Sequence, residues 1–257
     1  MAALFFIDVL KKQHSFVHGT SPRCHVKNGV RKPLFCSDKG DEKLFFEDQI
    51  VFLHSLKIVT KVFFRVTQVH GNHVYVLKDS SIPVSEVGLC EADAIITHIP
   101  DCPIVVLTAD CVPIIIYDPI KHVVGIVHAG RLGTQKRIFT NTVEALSREY
   151  GSKPKNLIVG MGPAIRGCCY ELDEPCALPF IKKSPFSSEF INKIGGNKFF
   201  LDLPKVNRFE GYEAGILMKN IYTDGPCTSC ENDRWYSYRR EGKTGRLITL
   251  AMLQSRE

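Results

Sequence analysis

The sequence predicts an α/β fold in one domain spanning residues 1–257. Three observations predict it. Four short, β-branched apolar runs follow one another between residues 94 and 127. A helical apolar stripe occupies 134–150, and no Pro/Gly/Ser-rich linker divides the chain. Runs apolar on every side chain read as strands buried on both faces, covered by helices or by a second sheet.

Taken in order, the first ten residues are apolar but contain Asp8, and their lysines (Lys11, Lys12) follow the apolar run. This makes them a first strand or helix and not a signal peptide. Leu44, Phe45 and Phe46 read as a buried strand. Residues 62–77, with Val62, Phe63, Phe64, Val66, Val69, Val74 and Val76, are strand-like and broken by a turn at Gly71 and Asn72. The four buried strands are 94–96, 103–107, 112–117 and 123–127. Over 134–150, Ile138, Thr142, Ala145, Leu146 and Glu149 recur at helical spacing, with Thr134 placed to cap the start and Gly151 the end. Residues 156–161 form another strand, running into Gly162 and Pro163. A helix and loops fill 172–200. Residues 207–222 read as a helix with Phe209, Tyr212, Ile216 and Leu217 inward. Residues 234–238 and 246–253 read as a hairpin turned at 242–245.

Hydrophobic residues make up 44% and charged residues 23% of the chain. That balance belongs to a globular protein and excludes a disordered chain, a collagen or a coiled coil. A chain of this length buries about 70–75% of its unfolded surface and needs no metal to fold, so a metal is expected for chemistry only. The most apolar stretch, 103–117, is interrupted by Asp110 and Pro113 and falls short of the ~20 residues of a membrane span. The net charge of +6 is dispersed, without the basic stripe of a nucleic-acid protein, and is compatible with anionic small molecules such as phosphate. Ten cysteines in a chain this long read as reduced cytoplasmic thiols and not as a disulfide framework.

Three residues of zinc-ligand type share one local grammar. His70 stands at the end of a strand before Gly71. Cys111 lies between two apolar strands after Thr108, Ala109 and Asp110. His128 stands where a strand runs into Ala129 and Gly130 ahead of a helix. Ligands of α/β sheets gather at such strand ends. Two imidazoles and one thiolate suit zinc and leave a fourth position open. Asp110 is placed either to orient a ligand histidine or to cap the strand break. His73 is expected on the opposite face from His70. Cys168 and Cys169, being adjacent, are not expected to share one metal, and Cys227 and Cys230 form a lone CxxC in a turn.

Five motifs in order resemble the YfiH-like family, long labelled polyphenol oxidase or laccase. They are Gln68-Val69-His70-Gly71, Thr108-Ala109-Asp110-Cys111, His128-Ala129-Gly130, Gly162-Pro163-Ala164-Ile165 with Cys168-Cys169-Tyr170-Glu171, and Ser237-Tyr238-Arg239-Arg240 with Thr244-Gly245-Arg246. They lie within residues 62–253. The resemblance implies a four-layer α/β/β/α sandwich. It also implies one zinc on His70, Cys111 and His128, and cleavage of purine nucleosides by phosphate, with adenosine deaminase and methylthioadenosine phosphorylase reactions. Asp110 together with one or more of Arg131, Arg239 and Arg240 is expected to handle proton and anion, with Asp110, Arg131 and Arg240 as the expected catalytic residues.

The chain departs from the family where His-Ala-Gly is usually followed by Trp-Arg-Gly. Here Arg131 and Leu132 take those places, which predicts weak phosphate binding unless Arg131 substitutes. Two other readings keep the fold. One is a laccase-type copper oxidase, which needs more paired histidines than the sequence offers. The other is a zinc amidohydrolase that edits peptidoglycan precursors. Neither nucleic acid nor membrane is an expected partner.

Overall fold

The computed structural model describes residues 3–27, 30–35, 42–60 and 63–255. Among these residues the central six-stranded sheet runs, from edge to edge, Ile221–Tyr222, Ile158–Met161, Val112–Asp118, Val123–Ala129, Ala94–Thr97 and Val74–Leu77. Its edge pairs are parallel and its inner pairs antiparallel. A three-stranded antiparallel sheet, Phe16–Thr20, Leu247–Leu253 and Ile104–Thr108, packs against it.

Alternation along the strands builds the layers, because successive side chains point to opposite faces. Ile95, Ile115, Tyr117, Val124 and Ile126 of the large sheet meet Ile104, Val106, Ala251 and Leu253 of the small one. The opposite face of the large sheet, with Ala94, Ile96, Ile114, Ile116 and Val127, is covered by Ile138, Val143, Ala145 and Leu146 of the helix Ile138–Tyr150 and by the helix Leu203–Glu213. The outer face of the small sheet, with Val105, Ile248, Leu250 and Met252, is covered by Phe52, Leu53 and Leu56. The result is the four-layer α/β/β/α sandwich. Each fully buried aliphatic side chain in these layers contributes about 1.5–3 kcal/mol. No helix among the described residues is long and apolar enough to cross a membrane.

The elements differ from the sequence expectation in six places, and Val62 lies outside the described residues. Of the strand-like stretch only Val74–Leu77 is a strand, while Phe64 and Thr67 make isolated bridges. The region expected as a helix and loops holds the helix Glu174–Lys183 and also the strands Glu171–Asp173, Ile191–Gly195 and Lys198–Leu201. Leu44, Phe45 and Phe46 belong to a helix, Glu42–Ser55, and not to a strand. The governing pattern is Phe45, Gln49, Phe52, Leu53 and Leu56 at helical spacing, while Leu44 and Phe46 face solvent. The helix expected over 134–150 is two helices, Arg131–Gln135 and Ile138–Tyr150. They are separated by Arg137 in the left-handed region at φ 63°, so Thr134 is not the cap. Gly151 does close the second helix, at φ 68°.

The helix expected over 207–222 starts and ends earlier, at Leu203–Glu213, because the Asp202 carboxylate caps it by accepting from the Lys205 N–H. Tyr212 and Leu217 are consequently exposed, whereas Ile216 is buried. No hairpin forms at the C-terminal end. Ser237 caps a short helix, Tyr238–Glu241, and Leu247–Leu253 instead pairs with Phe16–Thr20 and Ile104–Thr108.

Candidate active site

His70, Cys111 and His128 converge as the sequence suggests, although His70 sits in the turn ahead of the strand Val74–Leu77 and not at the end of a strand. Cys111 lies between Ile104–Thr108 and Val112–Asp118, and His128 near the end of Val123–Ala129. Their ligand atoms all lie within 4.8 Å of one another. The Cys111 Sγ is 3.8 Å from the His70 Nε2, and the two imidazole rings meet edge to face with centroids 4.7 Å apart. His70 sits at φ 56° and Asp110, next to Cys111, at φ 90°, both left-handed. Such conformations cost about 1–3 kcal/mol each and persist only where the surroundings impose them.

Asp93 imposes one of them. It is fully buried directly ahead of the strand Ala94–Thr97. Its carboxylate accepts from the backbone N–H groups of Val69, His70 and Gly71 at 3.3, 3.0 and 2.6 Å, which fixes the His70 turn. The same carboxylate pairs with His128 Nδ1 at 2.7 Å. That bond orients the ring so that Nε2 faces the cluster, and with a metal bound at Nε2 it would keep the remaining proton on Nδ1. Burial works against the charge of Asp93, but the bonds from His128 and Gly71 outweigh it and hold the carboxyl below its ordinary range.

Cys111 and His128 stabilise each other's charged forms. Burial pushes the Cys111 thiol up, but the neighbouring His128 overrides it and brings the thiol down. Burial likewise pushes His128 down, and Cys111 and Asp93 together override it upward. A thiolate and two imidazoles, one of them oriented by a buried carboxylate, form a donor set that fits zinc. Gly130 makes room for it. A Cβ there would lie 2.8 Å from Cys111 Sγ and 2.9 Å from His70 Cδ2.

The trio opens on a cavity of about 810 Å³. Arg65, Arg131, Arg239 and Arg246 line it together with Gln68, Ile165, Tyr170, Leu203 and Tyr238. The Arg239 guanidinium lies 5.0 Å over the Tyr170 ring and donates to the Glu171 carbonyl at 2.8 Å. Four cations and several apolar or aromatic side chains around a zinc-type cluster are suited to an anion beside a flat heterocycle.

A family described as multi-copper polyphenol oxidoreductase laccase matches residues 38–254. The chain belongs to this YfiH-like laccase family. The purine nucleoside phosphorylase YlmD of Bacillus subtilis is 35% identical over 63% of this chain, and the match spans 59% of that relative's length. The purine nucleoside phosphorylase of Deinococcus radiodurans is 35% identical over 90% of this chain and 87% of its own. The crystal structure of Bacillus licheniformis YfiH superposes with a TM-score of 0.88 at 25% identity, covering 99% of this chain and 97% of that one.

Within this YfiH-like chain the expected catalytic residues divide. Asp110 lines the cavity, but both carboxylate oxygens are engaged. Oδ1 accepts from the Thr228 hydroxyl and Oδ2 from the Arg239 N–H, each at 2.6 Å. The carboxylate that orients a histidine is that of Asp93. Arg131 lines the cavity together with Tyr170, while Leu132 is 42% exposed and does not line it. Arg240 requires a correction, since it does not line the cavity. Its guanidinium donates to the carbonyls of Thr228, Ser229 and Trp235 at 2.7, 3.0 and 2.7 Å and pairs with Glu241, so it braces the loop beneath. The neighbouring Arg239 takes the cavity position. His73 lies apart from the trio and pairs with the Glu91 carbonyl.

Sequence reasoning missed Asp93 and Arg65. The available signal for Asp93 was an acidic residue at the mouth of a wholly apolar run. For Arg65 it was a lone charge inside the strand-like stretch.

Proposed function

We propose that this chain is a zinc-dependent purine nucleoside phosphorylase, with adenosine deaminase and methylthioadenosine phosphorylase reactions in the same cavity. One observation carries the reading: His70, Cys111 and His128 meet at a cavity lined by four arginines. The names of the relatives in Bacillus subtilis and Deinococcus radiodurans support it.

His70, Cys111 and His128 would hold the zinc. When bound there it supplies Lewis-acid polarisation of an oxygen and an open coordination position. Arg131 and Arg239 hold the phosphate dianion through charge-assisted hydrogen bonds. Asp110 is a positioning residue, because its carboxylate fixes the Arg239 backbone. Tyr170, Tyr238 and Ile165 offer the apolar wall against which a purine stacks. In phosphorolysis a phosphate oxygen attacks C1′ of the ribose. The bond from C1′ to the base breaks, and the purine leaves with the bonding pair and takes up a proton. In deamination, water adds at C6 of adenosine and ammonia leaves.

Cations at positions 65, 131, 239 and 246 remove the reason to expect weak phosphate binding from Leu132. A laccase centre requires further histidine-bound coppers. The second ligand-type group among the described residues consists of cysteines alone.

The test is elemental analysis of the purified protein, followed by incubation with inosine and adenosine with and without phosphate. Zinc in the protein, and hypoxanthine released from inosine only with phosphate, are expected. Copper together with dioxygen uptake on phenols, or no release of base, would overturn the reading.

A further inference from the structure

The loop after Ile158–Met161 and the turn after Ile221–Tyr222 run side by side. Ala164 bridges Cys227 in parallel register, with the Ala164 N–H donating to the Pro226 carbonyl at 3.2 Å and the Thr228 N–H to the Ala164 carbonyl at 3.1 Å. The Arg166 guanidinium ties the same two segments, donating to the carbonyls of Thr223 and Gly225 at 2.8 and 2.7 Å. This register brings together four cysteines that look unrelated in the sequence.

The sulfurs of Cys168, Cys169, Cys227 and Cys230 all lie within 4.8 Å of one another. Cys230 Sγ is 3.5 Å from Cys168 Sγ and 3.4 Å from Cys169 Sγ. A disulfide needs about 2.05 Å. A zinc ion with thiolates at about 2.3 Å places them about 3.8 Å apart along the tetrahedron's edges, which is the scale observed. An iron–sulfur cluster spreads its thiolates over several irons and needs a wider cage.

A dication bound there would take all four cysteines as thiolates, their protons being released on binding.

We propose that Cys168, Cys169, Cys227 and Cys230 form a second zinc site, closed by four protein ligands, that staples the 162–170 loop to the 225–230 turn. Both segments back the cavity. Tyr170, which follows Cys169, lines it, and Thr228, between the other two ligands, holds the Asp110 carboxylate that fixes Arg239. The site is structural, contrary to the expectation that a metal here serves chemistry alone, and it stiffens the wall that carries Tyr170 and Arg239.

The experiment counts zinc in reduced protein purified without chelators: the unaltered chain, a His70→Ala/His128→Ala variant and a Cys168→Ser/Cys230→Ser variant. Native mass spectrometry and metal analysis read the count, and circular dichroism confirms folding. We expect two zincs in the first and one in each variant. Cobalt in the histidine variant should show the intense absorption of a tetrathiolate site. If the zinc at His70, Cys111 and His128 is itself mistaken, the tetrad still gives one zinc, kept in the histidine variant and lost in the cysteine variant. Should the serine variant fail to fold, alkylation of the unaltered chain decides: Cys168 and Cys230 should resist iodoacetamide until a chelator is added. The proposal is overturned by free reactivity of both thiols in metal-replete protein, by a mass two daltons low from a disulfide, or by a histidine variant that holds no zinc.

Discussion

The Asp93 Oδ1 lies 2.7 Å from His128 Nδ1, and the same carboxylate receives three backbone N–H groups of the His70 turn. One buried side chain therefore sets the direction of two of the three ligand-type residues. Asp93→Asn keeps the size but turns an amide N–H₂ toward some of these donors. Removing a partner that orients a ligand histidine typically costs about 10–100-fold in metal affinity. We expect a loss of that size in competition with a chelating dye, together with about 1–3 kcal/mol of stability from buried donors left unpaired. Unchanged zinc retention would show that Asp93 does not orient the site.

How much of this was legible follows from where each residue's signal lies. Cys111 and His128 stand at strand ends and His70 at the turn before Gly71, and chain topology brings these ends and turns together. The inner strands were legible because Ile114, Ile115 and Ile116 are buried on both faces. Asp93 was not legible as part of the site, because its partners are backbone N–H groups more than twenty residues away, which no local pattern encodes. Arg239 and Arg240 are adjacent and identical in kind. Only the capture of the Arg239 N–H by Asp110 and the carbonyls around Arg240 decide which one faces the cavity. The four cysteines were visible as two separate pairs, and only the parallel register of Ala164 with Cys227 creates their proximity.

Arg131→Ala should lower kcat/KM for phosphate in inosine cleavage. A charge-assisted hydrogen bond is worth about 1.5–3 kcal/mol, which corresponds to about 10–150-fold. Phosphate-independent deamination of adenosine should suffer less, since no anion has to be held. Leu132→Arg should leave phosphorolysis unchanged, because position 132 faces solvent outside the cavity. Product analysis with varied phosphate separates these outcomes. A gain from Leu132→Arg, or indifference to Arg131→Ala, would place the anion site elsewhere.

His18 makes stability depend on pH away from the site. It is buried between Phe6 and Phe16, and its Nε2 accepts from the Ile7 N–H at 2.9 Å. Burial lowers its pKa from 6.5 to about 4. Between those values the unfolded chain binds a proton that the folded chain refuses. Stability is therefore full above pH 6.5, falls as pH drops through the window and levels off below about 4. The shift corresponds to about 3 kcal/mol. His18→Gln keeps an acceptor for Ile7 and cannot titrate. Urea unfolding at pH 7.5 and pH 4.5 should show the unaltered chain losing about 2.5 kcal/mol more than the variant. Equal losses would mean that His18 titrates normally.

Gly130→Ala separates the ligand cluster from the fold. Gly130 has φ −77° and ψ 173°, a conformation any residue adopts, so alanine brings no backbone strain. The conflict is local, with the Cys111 sulfur at 2.8 Å and the His70 ring at 2.9 Å. Contacts that short force one of them to move by several tenths of an ångström. His70 is exposed and has room to swing, whereas Cys111 is held between two buried strands. We therefore expect His70 to give way, at a cost to stability of about 1 kcal/mol or less, because no core side chain is displaced. Zinc binding at this cluster should weaken by about 10-fold or more, since a ligand displaced by this much no longer fits a tetrahedral ion. Thermal unfolding and zinc titration on the same sample read the two effects. A large fall in melting temperature with unchanged zinc affinity would show that Gly130 serves the packing of the strand end and not the ligand cluster.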